Sequence, residues 1–95
     1  MGGAYEIDIY CNAGAITVVG EAKVRVGPND VRRAVERAEE LRRSWSQLIS
    51  GRLVPVVYTY AASHQAVEAA RRLGVWLIES KRELVTLEEV LTLQS

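Results

Sequence analysis

Residues 53–60, with the sequence LVPVVYTY, limit the possible folds of this chain more than any other stretch. These residues are almost all apolar or aromatic, so a strand formed here cannot leave one of its faces in water. Strands of this kind lie inside sheets that are covered on both faces, which is typical of α/β proteins. Within the run, Pro55 has no N–H to donate and predicts an open edge or a bulge at that point.

Two further β-like segments precede this run. Residues 4–10 alternate in polarity and predict a strand with Asp8 at its centre. Residues 16–26 are rich in β-branched side chains and alternate towards their end, so that Glu21 and Lys23 share a face. Turn-forming residues 12–14 lie between the two segments. The pattern predicts an antiparallel hairpin.

The first helix is expected to begin at Gly27-Pro28, because proline is favoured in the first helical position. Asp30 then lies in the first turn, where the helix dipole favours a negative charge. An apolar stripe runs from Val31 through Trp45 to Ile49, which predicts one helix up to the Ser50-Gly51 stop and Trp45 in the core.

The rest of the chain continues the alternation of helix and strand. Ser63 and Gly74 are expected to bound a helix over 64–73, and a short buried strand follows at 75–78. A capping-box sequence at Thr86 opens a last helix to about residue 93. The order β-β-α-β-α-β-α predicts an α/β fold: a mixed sheet with an antiparallel hairpin followed by parallel βαβ crossovers, with helices on both faces.

The length of 95 residues corresponds to one domain, expected over 5–95, with residues 1–4 as a flexible start or the remnant of a linker. No apolar run reaches the roughly 20 residues of a membrane span, and the start does not resemble a signal peptide. The single cysteine, Cys11, suits a reducing cytoplasm. With one cysteine and one histidine a zinc site is excluded. No phosphate-cradling glycine-rich loop points to a nucleotide cofactor.

The charged residues are distinctive in kind, although the net charge is zero. Ten of the twelve cations are Arg and ten of the twelve anions are Glu, a usage found in thermophiles. In the first helix, arginines alternate with glutamates, which predicts a solvated, salt-bridged face. The arginines concerned are Arg32, Arg33, Arg37, Arg42 and Arg43.

The hairpin carries the residues best suited to chemistry. With a four-residue loop Asp8 lies directly opposite Glu21, and with a two-residue loop the two are diagonal neighbours. Two adjacent carboxylates repel each other, and a hard cation such as Mg²⁺ relieves the repulsion. Lys23, one pleat along, would reach a phosphate oxygen or a water, which points to phosphodiester hydrolysis. The alternative is that Asp8, Glu21 and Lys23 belong to an exposed row of charged side chains on the sheet and form no functional site.

These residues carry a family resemblance. Asp8, a gap of twelve residues, and Glu21-Ala22-Lys23 after an apolar run resemble the D…ExK signature of the PD-(D/E)XK, or restriction-endonuclease-like, phosphodiesterases. The likeness covers residues 5–80 and is greatest to uncharacterised archaeal members, and more distant to archaeal Holliday junction resolvases. It implies a Mg²⁺- or Mn²⁺-dependent DNA endonuclease, with Asp8, Glu21 and the Ala22 carbonyl as metal ligands and Lys23 as the catalytic lysine.

The chain also departs from that pattern. Members of the superfamily usually have a helix and a strand before the Asp strand, and that helix often supplies another acid. Glu6 is the candidate to replace this acid, and Tyr60, at the carboxyl end of its strand, is a candidate contact residue. An uncovered sheet edge predicts a homodimer. The second functional hypothesis is therefore a catalytically inactive nuclease-fold module for dimerisation or DNA docking.

Overall fold

A computed structural model describes residues 7–95. It contains five strands: β1 (Ile9–Asn12), β2 (Ile16–Val26), β3 (Arg52–Ala62), β4 (Trp76–Glu79) and β5 (Arg82–Val85). It contains three α-helices, α1 (Pro28–Ser44), α2 (His64–Leu73) and α3 (Leu87–Gln94), and a short 3₁₀ turn at Ser46–Leu48. The predicted domain start over residues 1–4 lies outside the described residues.

The strands form one mixed sheet in the order β1-β2-β3-β4-β5. The central strands β2, β3 and β4 are parallel and are joined through α1 and α2, whereas β1 and β5 are antiparallel edges. This confirms the α/β class, the amino-terminal hairpin and the parallel crossovers. Strand β5 was not predicted, because its turn has no glycine or asparagine signal: Ser80 itself takes the left-handed conformation, with φ of 55°.

The crossover helices share one face of the sheet. Helices α1 and α2 pack against each other, as two successive right-handed crossovers in one direction require. The start of α3 lies beside Trp76, whose indole N–H donates to Glu83 over 2.7 Å, while the same carboxylate accepts from the Leu87 N–H. Trp76 alternates with the fully buried Leu77, so the start of α3 belongs to the other face.

Helix α1 is shorter than its apolar stripe predicts. It ends at Ser44, and Trp45 is 48% exposed rather than part of the core. The chain must turn back here to enter β3, and Thr17 fixes that return: its Oγ1 donates to the Ser50 carbonyl and accepts from the Ser50 N–H, over 2.8 and 2.9 Å. A tertiary anchor therefore overrides the helical periodicity beyond Leu41.

The first strand also begins later than predicted. Asp8 lies in a bend before β1 and not at the centre of a strand, although its N–H still donates to the Gly20 carbonyl over 3.0 Å. Ile7 and Ile9 pack against different core clusters, so the regular alternation is interrupted at Asp8. Residues 4–6 of the predicted strand lie outside the described range.

Strands β2 and β3 approach each other closely at Gly20. A Cβ at Gly20 would meet the Val56 carbonyl oxygen at 1.7 Å, so only glycine permits this approach of the two strands. Pro55 is tolerated because β4 pairs with β3 only from Val56 onward. Throughout residues 7–95, no helix is long and apolar enough to cross a membrane.

Candidate functional site

The alternation of β2 determines where its charged side chains point. Val19 packs in a small cluster with Ala38 and Leu41 of α1. Because side chains two residues apart share a face, Glu21 and Lys23 also face α1. Glu21 and Lys23 therefore lie in the angle between β2 and the first half of α1. Glu21 is buried there, unlike a member of an exposed row of charges, whereas Lys23 is exposed.

Glu21 is the buried member of the set. The residue is 6% exposed, and its Oε2 accepts a hydrogen bond from the Arg37 guanidinium over 2.6 Å. The Arg37 side chain is 28% exposed. A buried carboxylate requires a partner of opposite charge, and in this chain α1 supplies it. Arg37 was predicted to belong to the solvated salt-bridged face, and that prediction was wrong.

Lys23 is held by the first turn of α1. Its Nζ lies 2.7 Å from Asp30 Oδ1, while Asp30 Oδ2 accepts from the Gly27 N–H and so caps the helix. Burial is the largest single influence on the pKa of Asp30 and raises it. The hydrogen bonds from Lys23 and Gly27, with the charges of Lys23 and Arg33, outweigh burial and lower the pKa below its ordinary value. Asp30 is therefore a carboxylate at neutral pH.

Asp8 approaches the same stretch from the edge of the sheet. The connection between the paired residues Asn12 and Thr17 has four residues, the longer of the two predicted alternatives. The regular pairing ends at Ile9 and Gly20. Asp8 lies beyond it in the bend and donates its N–H to the Gly20 carbonyl, so the pairing that would place it directly opposite Glu21 does not continue. The exposed Asp8 carboxylate accepts from the Ala22 N–H over 3.2 Å, which places it at the backbone of the Glu21-Ala22-Lys23 segment.

Tyr60 does not join this group. It is 69% exposed and lies at the carboxyl end of β3, as predicted. Thr59 is the parallel partner of Lys23, so Tyr60, one residue further on, points to the opposite face of the sheet. The Asp8 carboxylate lies at the Ala22 backbone, Glu21 and Lys23 share the face towards α1, and Tyr60 lies on the opposite face of the sheet.

The donor types at this edge suit a hard divalent cation. The Asp8 carboxylate lies at the backbone of the Glu21-Ala22-Lys23 segment, and Mg²⁺ is usually bound through one or two carboxylates and several waters. Within residues 7–95, no group of three or more His, Cys, Asp or Glu side chains is placed to hold a metal ion. Glu6, the predicted third acid, lies outside the described residues.

Two residues of this arrangement were not identified as site residues from the sequence. Asp30 was assigned to the helix dipole alone, and Arg37 to the solvent. Their spacing of seven residues carried the signal, since seven residues are two helical turns and place both side chains on one side of α1. The signal becomes readable only once that side is known to face Glu21 and Lys23.

A groove at the opposite end of α1 is separate from this site. It lies where the strands begin and is lined in part by Val35, Leu53, Leu73 and Leu93. None of the predicted site residues lines it. The candidate side chains of β2 therefore lie from the middle of the strand towards its carboxyl end, the end at which open α/β sheets bind their ligands.

The family model described as Domain of unknown function (DUF8196) matches residues 2–87. The match spans nearly the whole chain, so the chain belongs to this family. No curated protein and no solved structure matches the chain.

Proposed function

We propose that this member of the DUF8196 family is a divalent-metal-dependent DNA endonuclease-like phosphodiesterase with a restriction-endonuclease-like fold of the PD-(D/E)XK type. In this proposal Asp8, Glu21 and the Ala22 carbonyl hold Mg²⁺ or Mn²⁺, and Lys23 is the catalytic lysine. Glu6 is a possible third acid and Tyr60 a possible accessory contact to the nucleic acid.

One observation carries the proposal. The exposed Asp8 carboxylate accepts from the Ala22 N–H over 3.2 Å, so it lies at the backbone directly after the buried Glu21. An acid at the sheet edge beside a buried acid and a lysine is the arrangement that metal-assisted phosphodiester hydrolysis requires.

The chain's own residues would divide the chemistry between them. A bound Mg²⁺ or Mn²⁺ would polarise the phosphoryl group and lower the pKa of an attacking water. Asp8 and Glu21 would position that ion beside the middle of β2. Lys23 carries three N–H donors, so it can keep Asp30 as a partner and still donate to a phosphate oxygen, where negative charge develops in the transition state.

DNA and a second copy of the chain are the proposed partners, and the cytoplasm is the proposed location. Val24 and Tyr60 expose apolar surface on the sheet face opposite α1, at 66% and 69%. Both lie at the same end of the sheet as the site, so a partner bound there would approach the site from behind the sheet. The pairing of two chains through this face would also shield apolar surface.

Calorimetric titration with MgCl₂ and MnCl₂ tests the metal site. We expect saturable binding to the wild type and its loss in Asp8→Asn, with Glu40→Gln as the control that removes an exposed carboxylate of α1 from a surface pair. Cleavage of branched and duplex DNA by the same three proteins then tests the activity. The nuclease proposal would be refuted if the wild type bound neither metal, in the presence or absence of DNA, and also failed to cleave DNA.

The second candidate is an inactive nuclease-fold module for dimerisation or DNA docking. One observation favours it: Glu21 and Lys23 already have counter-ions on α1, Arg37 and Asp30. Such pairs give the two charges a structural role without a metal. This candidate is expected to give a stable dimer by sedimentation equilibrium, together with wild-type protein that neither binds Mg²⁺ nor cleaves DNA.

A further inference from the structure

The charged side chains of β2 and α1 form two ion pairs, Lys23 with Asp30 and Glu21 with Arg37. Along β2 an anion, Glu21, is followed by a cation, Lys23, and along α1 an anion, Asp30, is followed by a cation, Arg37. Because the two elements run in opposite directions, each charge meets its opposite: Lys23 pairs with Asp30, and Glu21 with Arg37. Helix α1 thus neutralises both charged side chains of the proposed ExK segment.

The two pairs have different consequences for the proposed site. An ammonium group with three donors can be shared, so Asp30 does not prevent Lys23 from acting. A carboxylate bound by a guanidinium at 2.6 Å has part of its charge and one oxygen already engaged. A metal ion that approaches Glu21 therefore meets a resident cation, and two cations near one carboxylate repel each other.

We propose that Arg37 competes with the metal ion for Glu21, so that Arg37 holds the site in a metal-poor resting state and the metal enters by displacing its guanidinium. The inference rests on the proposed metal site. Arg37 is suited to this role because its side chain is more exposed than that of Glu21, 28% against 8%, and can move towards solvent while the carboxylate stays in place. Arg37 is in this respect a regulatory residue and not a catalytic one.

The test compares Mn²⁺ affinity, measured by calorimetry, among the wild type, Arg37→Met and Arg42→Met. Methionine preserves the length and apolar stem of the arginine and removes its charge. Arg42 lies on the same helix and pairs with Glu39 over 3.5 Å, so its substitution makes the same change in net charge away from Glu21. We expect Arg37→Met to bind Mn²⁺ about tenfold more tightly than the wild type, and Arg42→Met to match the wild type.

The melting temperature provides a second measurement. It also shows whether the Arg37 variant is folded under the conditions of the titration. Without metal, Arg37→Met leaves Glu21 buried beside no guanidinium and should melt below the wild type. Mn²⁺ at millimolar concentration should raise the melting temperature of Arg37→Met more than that of the wild type, because the ion replaces the missing countercharge. Arg37→Lys, which keeps a cation but loses the planar fork, should lie between the two.

The outcomes separate this inference from the function on which it rests. Tighter binding and greater metal stabilisation in Arg37→Met support both, even where the wild type itself binds too weakly to measure. Equal affinity in the wild type and Arg37→Met would overturn the competition and leave the metal site standing. If neither protein binds Mn²⁺ or is stabilised by it, with or without DNA, the metal site and the competition both fail.

Discussion

The two halves of β2 both pair with β3 but differ in burial and composition, and within the described residues β1 pairs only with the first half. Residues 16–20 are apolar or small, and most are buried, whereas residues 22–25 are exposed although they also pair with β3. Glu21 stands at the border and is the last buried residue of the run. The strand is therefore divided in two: the first half belongs to the core of the sheet, and the second half presents exposed side chains.

Gly20 should give the largest effect, because it is the residue of the first half that admits the neighbouring strand. Gly20→Ser would place a Cβ 1.7 Å from the Val56 carbonyl oxygen, and no rotamer change relieves a clash with backbone. We expect a loss of about 3 kcal/mol or more in the free energy of unfolding, measured with urea. Gly27→Ser is the matched control, since a Cβ there meets nothing within 4 Å. Similar losses in both variants would break the contrast.

A valine in each half allows the same substitution to be compared on one face of the strand. Val18 is 8% exposed and Val24 is 66% exposed. Val18→Ala should cost about 2 kcal/mol of unfolding free energy, because it removes buried methyl groups and leaves a cavity. Val24→Ala should stay within about 0.5 kcal/mol of the wild type in a urea titration at low protein concentration. A large loss at Val24 would mean that this surface is covered in solution, as the proposed homodimer requires.

Much of the fold was predictable because local signals and tertiary packing agree. The ends of α2, at Ser63 and Gly74, and the capping box at Thr86 lie where the sequence places them. The predictions failed where a distant contact decides the outcome, as at the end of α1. Strand β5 was missed for a different reason: it has only four residues and follows an unusual turn, so its alternation is too short to recognise in the sequence.

The site was predictable only in part, for a geometric reason. Hairpin pairing is a local property, so turn length and alternation predicted that Asp8 lies beside the segment at Glu21 and Ala22. The bend at Asp8, which takes it out of the regular pairing, was not predicted. The partners on α1 depend on how the helix is rotated over the sheet. A sequence alone gives the angular spacing of Asp30 and Arg37 but not the direction in which they point. As a result, the sequence identified Glu21 and Lys23 as candidate site residues but did not identify their counter-ions on α1.

The two ion pairs between β2 and α1 sharpen the comparison at the border between the halves. Double-mutant cycles with Glu21→Gln and Arg37→Met, and with Lys23→Met and Asp30→Asn, isolate the coupling energy of each pair in urea unfolding. We expect about 1–2 kcal/mol for the buried pair and about 0.5 kcal/mol for the pair whose lysine is 40% exposed. Equal couplings would show that burial at Glu21 does not strengthen its interaction.

The smallest effect concerns the exposed half and appears only as pH is lowered. The folded-state pKa of Asp30 is lowered below its ordinary value of 3.8, so ionised Asp30 stabilises the folded chain at any pH above that value. This contribution is lost as pH falls through the lowered, folded-state pKa. The unfolding free energies of the wild type and Asp30→Asn should therefore differ by a constant amount near neutral pH. The difference should shrink by less than about 1 kcal/mol towards pH 2–3, as expected for a partly solvated pair. Subtracting the variant removes the titration of the other carboxylates, so a difference that grew on acidification would mean that Lys23 and Gly27 do not favour the ionised form of Asp30.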